Sequence, residues 1–230
     1  MNVSSNLRSC SWYFSGLLML LLTGTLLLML NGKAASFIFL NSYHPFLLNE
    51  FFINYTFIGD GIFAICIIAL FFLYYKNKQQ GFALLLSFLI SGLFVQIIKN
   101  LVNSPRPRLY FETGQYLHFI DGVSLANNSS FPSGHTATAF AIATALVLII
   151  KNKNWQLPIL ITAVLVGYSR IYLAQHFLLD VMIGAVIGSA SGILSVYLAM
   201  NIKIFRPSNR KIKGIEPNSK MTSPSESQPV

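Results

Sequence analysis

The chain has 230 residues, of which 54% are hydrophobic and only 10% are charged, and its formal net charge is +9. Soluble domains carry about 25% charged residues. This composition excludes an ordinary soluble globule and indicates an integral membrane protein built as one domain. We expect the lipid bilayer as its surroundings and no nucleic-acid partner, and the sequence leaves the oligomeric state open.

Apolar stretches divide the chain into six predicted membrane-spanning helices, since a bilayer core requires roughly 20 apolar residues per helix. They cover residues 12–30, 47–75, 82–98, 136–150, 157–173 and 177–202. The first exceeds the ~7–15 apolar residues of a signal peptide, so we expect it to be retained. The second is longer than a span requires, and we expect its early part to lie in the membrane interface. The predicted fold class is therefore all-α, a polytopic helical bundle formed by residues 1–205.

Lysine and arginine are unevenly distributed over the predicted loops, and this asymmetry predicts the orientation of the bundle. With both termini in the cytoplasm, eleven of the 16 Lys and Arg lie on the cytoplasmic side. The five external ones are Lys33, Lys99, Arg106, Arg108 and Arg170. Residues 206–230 are rich in Pro, Ser, Asn and Lys and are predicted to form a disordered basic cytoplasmic tail. The predicted localisation is the plasma (cytoplasmic or inner) membrane.

Three polar segments interrupt the apolar sequence: motif 1 (99–107), motif 2 (131–135) and motif 3 (169–180). Successive spans alternate in direction, so the span ends that carry these motifs are expected to meet at the external face. Charged residues at membrane depth are costly and mark functional sites. The motifs supply three cations, two imidazoles and a carboxylate: Lys99, Arg106, Arg170, His135, His176 and Asp180. Residues 109–130 link the first two motifs, and a long loop beside a site often sets specificity.

These side chains suit the cleavage of a phosphate ester, whose negative oxygens resist attack. Lys99, Arg106 and Arg170 are predicted to neutralise the phosphate. Ser133 and the N–H groups around Gly134 are predicted to add donors at the start of the fourth span, where a helix N-terminus favours an anion.

The residues alone do not decide which histidine is the nucleophile. Asp180 follows His176 by four residues, which we expect to place both on one helical face. This pairing with a carboxylate favours His176 over His135.

The three motifs, in this order and with this spacing, resemble the signature of the type 2 phosphatidic acid phosphatase superfamily, which comprises integral-membrane lipid phosphate phosphatases and is related to the vanadium haloperoxidases. The resemblance covers about residues 95–185. It implies a phosphohistidine on His176, with His135 as general acid and then base and Asp180 orienting His176, and it implies no cofactor. It also implies a lipid phosphate or diphosphate substrate: polyprenyl diphosphate, phosphatidylglycerophosphate, phosphatidate or a lipid A phosphate.

Three alternatives are left open. One is a metal-dependent hydrolase with His135, His176 and Asp180 as ligands. The three cations argue against it, because they would repel a metal ion and already perform its electrostatic role, so we predict no metal. The others are a phosphotransferase that passes the phosphoryl group to another lipid and a catalytically silent transporter or scaffold. The completeness of the motifs argues against a silent site.

The sixth span carries Gly184, Gly188 and Gly192 at four-residue spacing. Such a row of small residues allows another helix to approach closely. We predict that this row packs within the bundle, with a dimer interface as the alternative.

Overall fold

The structure is a computed structural model that describes residues 8–111, 119–120, 123 and 127–202. Within these ranges no residue lies in a strand, so the predicted all-α class is confirmed. The predicted tail, 206–230, lies outside the described residues. In chain order the elements are α1 (Ser11–Leu40), α2 (Phe46–Tyr55), a 3₁₀ turn (Thr56–Gly59), α3 (Gly61–Leu73), α4 (Lys78–Leu101), α5 (Pro107–Tyr110), α6 (Gly134–Ile150), α7 (Lys153–Tyr172) and α8 (Leu178–Asn201).

Three of these helices, α1, α4 and α8, are long and apolar enough to cross a membrane, and the bent pair of α2 with the 3₁₀ turn and α3 makes a fourth if it counts as one span. Helix α6 is apolar but has only 17 residues, about 25 Å at 1.5 Å per residue. Helix α7 has 20 residues but includes polar side chains such as Gln156 and Arg170. The chain is a multi-pass membrane protein, and the count of six spans stays a prediction.

The predicted second span is interrupted, and its two helices meet at an angle of 54°. Asp60 is the N-cap of α3 and has an extended backbone, with φ −76° and ψ 152°. A Cβ added at the preceding Gly59 would lie 2.5 Å from Val166 Cγ1 and 3.0 Å from His135 Cβ. Only glycine permits this close approach, which brings the 3₁₀ turn against the helices that carry motifs 2 and 3.

Helix α1 continues ten residues past the predicted end of the first span, with a break at Gly32, where φ is 73°. The segment beyond this break is held by aromatic side chains. Lys33 Nζ lies 4.0 Å from the centroid of the Phe177 ring, and Phe37 packs against Phe111 and Phe177. These contacts attach the end of α1 to the chain next to His176.

Helix α6 is the core of the bundle and is buried along most of its length. Helix α8 packs against it through Gly184, Gly188 and Gly192. A Cβ at Gly184 would lie 2.7 Å from Ser133 O, and one at Gly188 would collide with Ala137 O. The prediction that the glycine row packs within the bundle is therefore confirmed. This contact sets the start of α6, which carries motif 2, beside the start of α8.

Candidate active site

Motif 1 places two cations at the end of α4 and the start of α5. Lys99 lies in the last turn of α4. Arg106 is the N-cap of α5, and a proline occupies the first helical position, where its fixed φ is favourable. Lys99 Nζ donates to Ser129 O over 3.0 Å, and Arg106 Nε donates to Asn128 O over 3.0 Å. Both cations thus reach the segment that precedes α6, residues 127–131.

Backbone hydrogen bonds also fasten this segment to motif 1. The N–H of Arg106 donates to Asn127 O over 2.9 Å, and the N–H of Ser130 donates to Ser104 O over 3.0 Å. The hydroxyl oxygen of Ser104 accepts from the N–H of Phe131 over 3.0 Å. Motifs 1 and 2 therefore form one structural unit although a long loop separates them in sequence.

Ser133 is the N-cap of α6 and is fully buried. Its Oγ accepts from the N–H of Thr136 over 3.4 Å and from the Thr136 hydroxyl over 2.9 Å, the usual capping role of serine. Its N–H donates to Asp180 O over 3.0 Å, which joins motif 2 to motif 3. A Cβ at Gly134 would meet no described atom closer than Val95 Cγ1 at 3.8 Å. A Cβ would therefore fit at Gly134, with Val95 in ordinary van der Waals contact.

His135 is the second residue of α6 and is half-buried. The 3₁₀ turn packs against it through Gly59. His135 lies close enough to Arg170, His176 and Lys99 for their charges to interact. The structure thus brings both predicted catalytic histidines to the same end of the bundle.

Motif 3 turns the chain back after α7. Arg170 lies in the last turn of this helix, and its carbonyl oxygen accepts from the N–H groups of Gln175 over 2.9 Å and His176 over 3.1 Å. Ala174, which lies between Arg170 and Gln175 in the chain, adopts a left-handed conformation with φ 53°. His176 consequently sits in a turn ahead of α8 and is only 2% exposed.

His176 and Asp180 are adjacent, but not as predicted. Because α8 begins at Leu178, His176 is not helical, and the prediction of a shared helical face is wrong. Asp180 Oδ2 accepts from the N–H of Phe177 over 2.9 Å and from the hydroxyl of Ser130 over 2.5 Å. His176 Nδ1 lies 3.7 Å from Asp180 Oδ2 and 3.5 Å from Ser130 Oγ. The turn, rather than helical periodicity, brings the imidazole to the carboxylate.

The three predicted phosphate-binding cations have no carboxylate partner among the described residues, where the one ion pair within 4.0 Å joins His176 to Asp180. Arg170 is 8% exposed, and its Nη1 donates to Thr56 Oγ1 over 2.7 Å. Its Nε is buried and has no hydrogen-bond partner within the described ranges. Arg106 Nη1 donates to a neutral group, Gln175 Oε1, over 2.6 Å. A buried cation without a counter-charge is costly, so these side chains are suited to a bound anion.

The electrostatics of the turn favour a neutral imidazole. Burial lowers the pKa of His176, the positive charges of Arg170 and Arg106 reinforce this shift, and Asp180 opposes it in part. Burial also lowers the pKa of Arg106, against the attraction of Asp180. Arginine starts from a pKa above about 12 and stays charged. The site therefore combines fixed positive charge with a histidine whose lone pair is available.

Three polar residues in contact with the site were not identified from the sequence: Ser130, Thr56 and Gln175. Ser130 ends a polar run in the loop before motif 2, which gives a weak signal. Thr56 lies just before Gly59, and the glycines on both sides of Asp60 do mark an interruption of the second span. No pattern distinguishes Gln175 from other polar residues.

The metal-dependent alternative requires His135, His176 and Asp180 to act together as ligands. Within the described ranges, no three His, Cys, Asp or Glu side chains come together as a metal site. Three positive side chains surround the proposed ligands, and like charges would repel a metal cation.

Comparison with known proteins identifies the family to which this chain belongs. The family model described as the PAP2 superfamily matches residues 80–204, which is more than half of the chain and includes all three motifs. The chain belongs to the PAP2 superfamily. Curated relatives of this PAP2 chain include an undecaprenyl-diphosphatase from Sulfolobus acidocaldarius, which is 31% identical over 134 residues, 56% of this chain and 60% of the relative. A lipid A 4'-phosphatase from Porphyromonas gingivalis is 34% identical over 137 residues, 56% of this chain and 58% of the relative.

The PAP2 chain thus spans about three fifths of the length of these two relatives. A solved structure matches more of it: the transmembrane PAP2 type phosphatidylglycerolphosphate phosphatase from Bacillus subtilis. The match has a TM-score of 0.61 and 25% identity, and it covers 85% of this chain and 100% of that chain. The predicted membership of a membrane phosphatase superfamily is confirmed.

Proposed function

We propose that this PAP2 chain hydrolyses a lipid phosphate or diphosphate without a metal ion, through a phosphohistidine formed on His176. The observation that carries the proposal is the buried guanidinium of Arg170, whose Nε lacks a partner among the described residues. The same residue holds the turn that contains His176 through its carbonyl oxygen. An unpaired buried cation beside a buried neutral histidine suits an anion that the histidine attacks.

In this proposal the phosphate is bound by Lys99, Arg106 and Arg170 together with the start of α6. Each planar guanidinium group can bind two phosphate oxygens at once, whereas lysine acts as a point charge. The N–H of Gly134 lies at a helix N-terminus, which favours an anion, whereas the N–H of Ser133 is already bonded to Asp180 O.

The reaction has two steps. First, Nε2 of His176 attacks phosphorus, the P–O bond to the lipid breaks, and His135 gives a proton to the leaving oxygen. Then His135 takes a proton from water, the water oxygen attacks phosphorus, and the P–N bond to His176 breaks. Inorganic phosphate leaves, and His135 has regained the proton it gave. Asp180 keeps the imidazole of His176 oriented and stabilises its positive charge in the intermediate.

The names of the relatives favour lipids of the cell envelope as substrates: undecaprenyl diphosphate, a lipid A phosphate and phosphatidylglycerophosphate. The test offers these lipids and phosphatidate to the purified chain in detergent, with His176→Ala as the control. Released phosphate is measured, and the lipid products are separated by chromatography. We expect phosphate release from at least one lipid by the unmodified chain and none by the control.

The same assay separates the alternatives. We expect activity to survive EDTA and to be inhibited by vanadate, which mimics pentacoordinate phosphorus. Loss of activity in EDTA that a divalent ion restores would support a metal-dependent hydrolase. Transfer of the phosphoryl group to a second lipid would support a phosphotransferase. No turnover of any of these lipids would support a silent transporter or scaffold.

We also propose six spans, with the site at the external face and the tail in the cytoplasm. The support is the excess of Lys and Arg on the cytoplasmic side. A cysteine reporter at Asn103, which is exposed between α4 and α5, should react with an impermeant reagent in intact cells, and one at Asn154, exposed at the start of α7, should not. Buried Cys10 and exposed Cys66 are replaced first. The opposite labelling pattern would place the site in the cytoplasm.

A further inference from the structure

We infer that Ser130 is a positioning residue whose hydroxyl links Asp180 to His176 and fixes which imidazole nitrogen carries the proton. This inference rests on the proposed function, because it concerns the histidine proposed to attack phosphorus. To the pair of His176 and Asp180 predicted from the sequence it adds a third group, a hydroxyl that contacts both.

The direct contact between the pair is too long for a hydrogen bond, since His176 Nδ1 lies 3.7 Å from Asp180 Oδ2. Ser130 is fully buried, and its hydroxyl contacts both residues. Its Oγ is 2.5 Å from Asp180 Oδ2 and 3.5 Å from His176 Nδ1. The Ser130 hydroxyl oxygen is therefore closer to His176 Nδ1 than the Asp180 carboxylate oxygen is.

The tautomer follows from counting protons. A serine hydroxyl has one proton to donate and two lone pairs. At 2.5 Å from a carboxylate, the Ser130 proton is committed to Asp180, since this is the length of a strong charge-assisted hydrogen bond. Ser130 Oγ can then only accept from His176, so Nδ1 carries the ring proton and Nε2 keeps its lone pair. The 3.5 Å contact is long, but such bonds often tighten when substrate binds.

Backbone bonds hold Ser130 in place in addition to its own side chain. Its N–H donates to Ser104 O over 3.0 Å, and the next N–H, that of Phe131, donates to Ser104 Oγ. Asp180 is fixed in turn by the N–H of Phe177 over 2.9 Å. Removing the Ser130 hydroxyl therefore leaves in place the backbone hydrogen bonds that hold residue 130 and Asp180.

The hydroxyl has a defined task in the reaction. As Nε2 of His176 forms its bond to phosphorus, positive charge spreads over the ring to Nδ1–H. The chain Nδ1–H to Ser130 Oγ–H to Asp180 Oδ2 stabilises that charge, and no proton leaves Nδ1. Ser130 acts through His176 and does not itself touch the reacting atoms.

The test compares Ser130→Ala with Ser130→Thr, which retains a hydroxyl, and with Ser87→Ala. Ser87 is a matched control because it is fully buried and its hydroxyl donates within its own helix, to Leu84 O over 2.8 Å. We expect Ser130→Ala to lower kcat roughly 10- to 100-fold with little change in KM, by analogy with the loss seen when a partner that orients a metal-binding histidine is removed. Ser130→Thr should recover most of this loss, and Ser87→Ala should show none.

Nitrogen-15 NMR of histidine-labelled protein gives a readout that loss of packing alone would not move. In the unmodified chain the His176 signals, assigned by their absence in His176→Ala, should show the Nδ1–H tautomer. In Ser130→Ala they should show a mixture of tautomers. Asp180→Asn combined with Ser130→Ala should be little worse than the poorer single variant, because residues that act as a unit are not additive.

An Nε2–H tautomer in the unmodified chain would overturn the inference, and this measurement does not require any Ser130 variant to fold. Equal activity of Ser130→Ala and the unmodified chain would also overturn it. If the unmodified chain hydrolyses no lipid phosphate, the proposed function fails, whereas the tautomer and its dependence on Ser130 are still decided by NMR.

Discussion

Arg170 Nη1 donates a hydrogen bond to Thr56 Oγ1 over 2.7 Å, and this bond connects the last turn of α7 to the 3₁₀ turn between α2 and α3. The interruption of the second span thus supplies a polar side chain to the candidate site. Without it, the Arg170 guanidinium would lose the one side-chain partner that the described residues give it.

Replacing Thr56 with Val should therefore impair phosphate binding, because Val keeps the shape of Thr but removes the acceptor. A hydrogen bond to a charged group contributes about 1.5–3 kcal/mol, so we expect kcat/KM for the lipid phosphate to fall roughly 10- to 100-fold. Thr56→Ser should retain most activity. Thr23→Val is the control, because among the described residues the exposed Thr23 hydroxyl bonds only to Met19 O, in its own helix. Equal kinetics for Thr56→Val and the unmodified chain would contradict the contact.

The two histidines should be separable by trapping the intermediate. His176→Ala should form no phosphoenzyme from ³²P-labelled substrate, since the nucleophile is gone. His135→Ala should react about 10²–10⁴ times more slowly, the usual contribution of a positioned acid or base. An aryl phosphate has a good leaving group and needs little protonation, so it should restore the first step in His135→Ala and let phosphoenzyme accumulate. If ³²P instead labels His176→Ala and not His135→Ala, His135 is the nucleophile and His176 is the general acid and base.

The lowered pKa of His176 predicts how the site responds to acid. The ordinary histidine pKa is about 6.5, and burial lowers that of His176. The folded chain should thus keep this imidazole neutral as the pH falls through 6.5, where the unfolded chain takes up a proton. Its contribution to stability should accordingly decrease as the pH drops below 6.5. In an NMR titration between pH 7.5 and 5.5, the ring signals of His176 should barely move, and a midpoint near 6.5 would be the contrary result.

The contact between α6 and α8 can be tested by a substitution outside the candidate active site. Gly188→Ala would drive a Cβ into the backbone of α6 at Ala137 and Ala141, and overpacking of this kind costs about 1–3 kcal/mol. We expect a lower Tm in detergent and reduced activity, because the helices that carry motifs 2 and 3 must move apart. Gly92→Ala in α4 is the matched control, since its Cβ would meet no described atom within 4 Å. A similar Tm for both variants would argue against the close packing.

Features that depend on local sequence were predicted well. Helix α6 was expected at 136–150 and is found at Gly134–Ile150, because an apolar run after a serine cap is a local signal. The spacing of the glycines of α8 predicted that another helix of the bundle packs closely against it, although it did not identify that helix as α6. Convergence of the motifs followed from the alternating direction of the spans.

Features that depend on tertiary contacts were not predicted. The apolar run of α1 stops at Leu30, and the helix resumes beyond Gly32 because Lys33 and Phe37 find aromatic partners elsewhere in the chain. The placement of His176 in a turn depends on two N–H groups sharing the Arg170 carbonyl oxygen. The contact of Ser130 with Asp180 joins residues 50 positions apart, and no spacing rule connects them.

The hydrogen bond from the N–H of Arg106 to Asn127 O closes a loop at its base, over 2.9 Å. The stretch between these two residues therefore begins and ends beside Arg106, whose Nε also donates to Asn128 O. Residues 112–126 lie in sequence between motifs 1 and 2, and we expect their exchange to alter substrate preference while the hydrogen bond from Arg106 to Asn127 is kept. We therefore expect substrate range and reaction chemistry to be encoded in separate parts of the chain, so that a new headgroup preference could be acquired by exchanging one insert.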